Sequence, residues 1–227
     1  MIMQASEYVR KLEKHFAGIG DPKISEKAAR YLRNHFSFYG LSSPVRKIAS
    51  LEFIAINGFP EEDQLRLTVK LLWKRKHREL HYFAMEMLEK KRKLLGPADM
   101  DLLVELVINN SWWDSIDFIA PKLMGVVFKK HPELIKKYTA AWIKSGNIWL
   151  MRSAILFQLK YKKETDAELL FSTIKSCADE KDFFIRKAIG WSLREYSKTE
   201  PEKVRTFVGT TKLSPLSRKE ALKRLEA

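Results

Sequence analysis

The sequence has a single cysteine, Cys177, in 227 residues, which excludes an internal disulfide framework and a thiolate zinc cluster. A chain built without disulfides suits a reducing compartment, and a cytoplasmic setting is expected. No stretch approaches the roughly 20 consecutive apolar residues of a membrane span. The N-terminal segment places Glu7, Arg10, Lys11, Glu13 and Lys14 among Tyr8, Val9, Leu12 and Phe16, the pattern of an amphipathic helix and not of a signal-peptide core. Strand-like alternation between turn signals is missing, as are the phosphate loop G-x-x-x-x-G-K-[ST], the dinucleotide fingerprint G-x-G-x-x-G and the nucleophile elbow G-x-S-x-G. His77-Arg78-Glu79-Leu80-His81 pairs two histidines at i, i+4. Glu79, however, is at the wrong offset for a zinc-protease helix and no third ligand is apparent, so these read as surface histidines. No metal and no cofactor is expected.

Acidic residues are also in short supply: 28 Asp and Glu face 42 Lys and Arg, a net charge of +14 and a pI near 9.7. Such an excess points to a polyanionic partner. Nucleic acid fits because Lys and Arg release counterions from phosphates; an anionic membrane surface and plain solubility charge are the alternatives. The basic runs Lys74-Arg75-Lys76-His77-Arg78, Lys90-Lys91-Arg92-Lys93, Lys129-Lys130 and Lys160-Tyr161-Lys162-Lys163 sit where helices are expected to end, and each alone reads as a solvated terminus.

What the sequence does have is helical periodicity throughout. Helices are predicted over 4–17, 23–38, 44–57, 61–73, 78–93, 98–109, 112–130, 132–145, 148–160, 165–178, 182–196, 200–208 and 215–226, separated by short Gly, Pro and Asn breaks, so the fold class is all-α in a single domain, 1–227. Alanines recur at Ala49, Ala84, Ala120, Ala154, Ala188 and Ala221, with successive gaps of 35, 36, 34, 34 and 33. Each interval holds about two helices. The period therefore describes a HEAT-like solenoid of helical hairpins in which a small residue lets the second helix of each pair pack closely. A basic residue two before the alanine recurs as Lys47, Arg152, Arg186 and Lys219, which would draw a positive stripe along a concave face, with Lys187 beside it.

One stretch concentrates candidate chemistry: Asn110-Ser111-Trp112-Trp113-Asp114-Ser115-Ile116-Asp117. Ser111 with Asp114 resembles a capping box, so a helix is expected to start near Trp112. Trp113 and Asp117 then share a face at i, i+4, an aromatic wall beside an anion that suits a flat, cationic substrate. The same residues could instead be core tryptophans and first-turn carboxylates favoured by the helix dipole.

This stretch, then Trp149-Leu150-Met151-Arg152-Ser153-Ala154-Ile155-Leu156-Phe157-Gln158-Leu159-Lys160-Tyr161-Lys162, then Ile185-Arg186-Lys187-Ala188-Ile189-Gly190-Trp191-Ser192-Leu193-Arg194, resemble in order and spacing the AlkD-type bacterial DNA alkylation-repair glycosylases. The resemblance implies a HEAT-like solenoid that cradles duplex DNA and removes N3- or N7-alkylated purines in base excision repair without a base-binding pocket. Carried over by position, it implies Asp117 as the catalytic carboxylate, Trp113 and Trp191 as aromatic walls, Arg152 as a contact to the DNA backbone and Tyr31 as a DNA-facing tyrosine. Arg186, Lys187 and Lys47 join the expected DNA-binding set through the basic stripe. The partner expected is alkylated duplex DNA, met by a monomer. Two further readings are a non-catalytic binder of DNA structures, as some relatives that lack the carboxylate-aromatic set are, and a protein-interaction solenoid with an acidic partner.

Overall fold

The computed structural model describes residues 3–226, apart from the side chain of Glu62; residues 1, 2 and 227 of the expected domain lie outside them. Helices run α1 Ala5–Ala17, α2 Pro22–Tyr31, α3 Ser43–Asn57, α4 Glu62–Trp73, α5 Arg78–Lys90, α6 Met100–Ile108, α7 Trp113–Ile119, α8 Gly125–Lys130, α9 Ile135–Lys144, α10 Ile148–Leu156, α11 Ala167–Cys177, α12 Phe183–Tyr196, α13 Pro201–Thr210 and α14 Pro215–Leu222. Apart from an isolated bridge between Ser37 and His77, no strand forms among the described residues. The fold is all-α, as the periodicity predicts. No helix among the described residues is long and apolar enough to cross a membrane.

The chain divides into two compact units, Met1–Lys91 and Arg92–Ala227. In the first, α1 packs on α3 and α4, and α4 on α5, around the buried rings of Tyr8, Phe16, Phe53 and Phe83. In the second, the later helix of each hairpin joins a row in which α7 touches α10, α10 touches α12 and α12 touches α14. All six periodic alanines are at most 2% exposed. A methyl in place of a larger side chain is what lets neighbouring backbones approach there.

Three expectations need correction. The helix predicted over 23–38 stops at Tyr31, because Arg33 and Asn34 take left-handed φ of 56° and 58° and the Asn34 N–H closes the end onto the Ala29 carbonyl, as C-terminal caps do. The helix predicted over 112–130 is interrupted by a π-helical segment, Ala120–Met124: Pro121 has no N–H to give, and the Gly125 N–H reaches back five residues to the Ala120 carbonyl, a local widening that absorbs the loss. The histidines of 77–81 are not a surface pair. His81, Arg78 and Glu79 are buried; the Glu79 carboxylate accepts from the backbone N–H groups of Tyr39, Gly40 and Leu41, and the Arg78 guanidinium lies 3.9 Å from the centre of the Phe36 ring. This run anchors the segment after α2, with its charges satisfied as burial demands.

Candidate functional site

Asn110, at φ 51°, turns the chain out of α6 and sets the start of α7. The expected capping box does not form. Ser111 turns its hydroxyl back to the Val107 carbonyl, and Trp112 takes the cap position with no side-chain cap bond. From there α7 presents Trp113 and, one turn on, Asp117, both half-buried.

The Asp117 carboxylate is held in a two-pronged grip by Arg152 of α10, with Nε donating to Oδ1 at 2.7 Å and Nη2 to Oδ2 at 2.9 Å. The third guanidinium nitrogen, Nη1, donates to the Phe184 carbonyl at the start of α12. Three successive members of the helix row are thereby tied at one point. Arg152 is only 4% exposed, whereas the Asp117 side chain keeps 19% of its surface accessible. Arg152, which the resemblance carries over as a contact to the DNA backbone, here directs its fork to Asp117 and Phe184, an arrangement that orients the carboxylate. Burial raises the Asp117 pKa above its ordinary value; the hydrogen bond and charge of Arg152 pull it back down, and Asp114 pushes it up.

Three rings cluster at the N-terminal ends of the same helices, α7, α10 and α12. Trp112, Trp149 and Phe184 form a triangle with centroids 5.6, 5.2 and 5.1 Å apart, and the exposed Phe183 meets Phe184 edge-on at 5.5 Å. Trp149 and Phe184 are set by their caps: the Asn147 side chain accepts from the N–H groups of Trp149 and Leu150, and that of Asp182 from Phe184 and Ile185. Sequence alone assigns neither aromatic a role. The signal is there in hindsight, an aromatic two residues after a cap-type side chain in successive repeats: Ser111 and Trp113, Asn147 and Trp149, Asp182 and Phe184.

The remaining candidates are less concentrated. Trp191, on α12, is half-buried against a core to which α10, α11, α12, α13 and α14 all contribute. Arg186 is half-buried and donates to the Glu180 carbonyl, Lys187 pairs with Glu220 at 2.9 Å, and Lys219 is exposed. The positive stripe in this unit thus reduces to partly engaged cations, with its Arg152 member internal. Tyr31, 72% exposed, and Lys47, exposed on α3, belong to the other unit. Among the described residues no cluster of three or more His, Cys, Asp or Glu side chains could hold a metal ion.

The model of the DNA alkylation repair enzyme family matches residues 12–225. Among solved structures, a protein described as a predicted DNA alkylation repair enzyme from Enterococcus faecalis is similar at 29% identity and a TM-score of 0.83, over 91% of this chain and 96% of that one. AlkD2 from Streptococcus mutans shares the fold, at 17% identity and a TM-score of 0.66 over 99% of this chain and 100% of that one. No protein with a curated functional description matches. With the family pattern spanning all but the ends of an all-helical chain of the same architecture, the chain belongs to the DNA alkylation repair enzyme family.

Proposed function

We propose that the protein is a monofunctional DNA glycosylase that hydrolyses the N-glycosidic bond of cationic N3- and N7-alkylated purines in duplex DNA. The observation that carries this reading is the Asp117 carboxylate, partly accessible and fixed on both oxygens by Arg152 beside aromatic rings. An alkylated purine already bears positive charge, so its C1′–N9 bond breaks with the electron pair passing to the purine and neutralising it, and no general acid is required at the leaving group. Water supplies the new C1′–O bond and gives up a proton. The remaining catalytic task is to stabilise the oxocarbenium-like sugar, and one oriented anion performs it, where ordinary glycosides need a pair of carboxylates.

Trp113 and Trp191 serve in this reading as aromatic faces toward the cationic nucleotide, each worth about 0.5–2 kcal/mol by cation–π attraction. Tyr31, Lys47, Arg186 and Lys187 contact the DNA backbone. A non-catalytic DNA binder would use the same surface, and the pairing of Asp117 with Arg152 as a purely structural bridge is what that reading rests on.

The deciding experiment offers matched duplexes that carry either 7-methylguanine, which is cationic, or O6-methylguanine, which is neutral. Release of the free cationic base alone supports the proposal. Equal binding of both with release of neither leaves the protein a binder, and release of both removes leaving-group charge from the mechanism.

A further inference from the structure

Lys187, Trp191 and Arg194 lie at i, i+4 and i+7 on α12, a spacing that puts all three on one helix face. Both cations end on a single carboxylate of α14. Lys187 Nζ is 2.9 Å from Glu220 Oε1 and Arg194 Nη1 is 2.5 Å from Oε2. The side chains of Lys187 and Arg194 remain 36% and 28% exposed, while Glu220 is 15% exposed. Gly190 lets α14 come this close, because a Cβ there would lie 2.4 Å from the Glu220 Cβ and 2.8 Å from the Ser217 carbonyl oxygen. Two oxygens on one anionic centre, each taking one cation, is the arrangement a backbone phosphate offers to a pair of basic side chains.

We propose that Glu220 is an internal stand-in for a DNA phosphate, holding Lys187 and Arg194 on either side of Trp191 until a backbone phosphate takes them over. The proposal rests on the DNA-binding reading above and adds Arg194 as a phosphate contact and Glu220 as the group that competes with DNA for both cations. In the free protein the carboxylate keeps the two long side chains extended along the face. On the duplex its negative charge opposes the phosphate, so affinity is set below what the cations alone would give. The hydrogen bond from Lys187 and, after it, that from Arg194 hold the Glu220 carboxyl below its ordinary range, so it is ionised at neutral pH.

The test is a titration of undamaged duplex DNA, over a range of salt concentrations, with wild-type protein and with Glu220→Gln, Lys187→Gln and Arg194→Gln. Glu220→Gln is expected to bind about 3–10-fold more tightly at low salt, with a log–log salt slope close to that of wild type, since both cations already meet phosphate in the wild-type complex and only the competing carboxylate is lost. Lys187→Gln and Arg194→Gln are expected to weaken binding and to flatten the slope by about 1 each. The opposite signs are the decisive readout. A purely structural clip between α12 and α14 would make all three variants change binding in the same direction, and that result overturns the proposal, as does a folded Glu220→Gln that binds like wild type. Should Glu220→Gln fail to fold, unchanged affinity and slope in both cation variants overturns it equally. Wild-type protein that binds no duplex overturns the DNA reading and this proposal with it.

Discussion

Asp117 is a carboxylate under opposed influences, and its pH behaviour follows from them. Burial outweighs Arg152, so the pKa sits above the ordinary value of 3.8. If the anion is the reactive form, single-turnover base release falls as pH drops through this raised value, along a one-proton limb. Arg152→Gln removes the influence that pulls the pKa down and moves the limb to higher pH; a limb that stays in place or moves down would separate Arg152 from Asp117. The same substitution leaves a largely buried carboxylate without its partner, so a marked fall in Tm should accompany it. Breaking a fully buried pair costs about 3–5 kcal/mol, and the partial exposure of Asp117 puts this one below that range. The sequence singles out both residues of the pair, with Arg152 carried over by the resemblance as a contact to the DNA backbone, but it does not show that the two are paired. The burial of Arg152 depends on Phe184, whose carbonyl takes the third donor, and a backbone acceptor on another helix leaves no mark in residue identity.

At the scale of the helices, the repeat period turns out to predict partners as well as elements. Asp117 and Arg152 are 35 residues apart and Arg46 and Glu86 are 40 apart; Lys187 and Glu220 lie one interval apart on α12 and α14. Each pair joins second helices of successive hairpins; a charge one period away was a legible candidate partner for Asp117 and for Lys187, while Arg46 and Glu86 lie four or more residues beyond the 33–36-residue period. The π-helical segment was less legible. Pro121 signals a disturbance, but whether a helix kinks, breaks or widens depends on what packs on it, here the Phe157 carbonyl, which would be 2.4 Å from a Cβ at Gly125. The contact at Gly190 gives an element-level test. Gly190→Ala drives a methyl into α14, an overpacking that costs about 1–3 kcal/mol and lowers Tm by about 2–4 °C per kcal/mol in a chain of this size. Unchanged melting would mean that α14 does not sit against α12 as described. Glu220 supplies a pH-dependent counterpart. Its folded pKa is depressed from 4.5, so its contribution is present above the unfolded value and is lost as pH falls through the folded one. The Tm gap between wild type and Glu220→Gln should be open at pH 7 and close below pH 4.5; a gap constant across that range would show that charge is not its origin.

For the whole molecule, the +14 charge sets how duplex affinity should respond to ions. With around five phosphate contacts the log–log slope with salt is about −4 to −5, and a slope near zero would remove the phosphate-tracking surface from the account. Fold class and family were legible in the helical period and in the ordered motifs around Asp117, Arg152 and Trp191. Catalysis is a property of a few atoms within that fold, and its direct test is single-turnover release of 7-methylguanine from duplex DNA in the presence of EDTA, by wild type and by Asp117→Asn at equal, saturating protein concentration. Wild type is expected to leave free base and an abasic site without added metal. Asp117→Asn is expected to bind as well but to release base about 10²–10³ more slowly, the loss typical of one main electrostatic stabiliser. Equal release by the two proteins, or duplex binding by wild type with no release, would contradict the glycosylase mechanism.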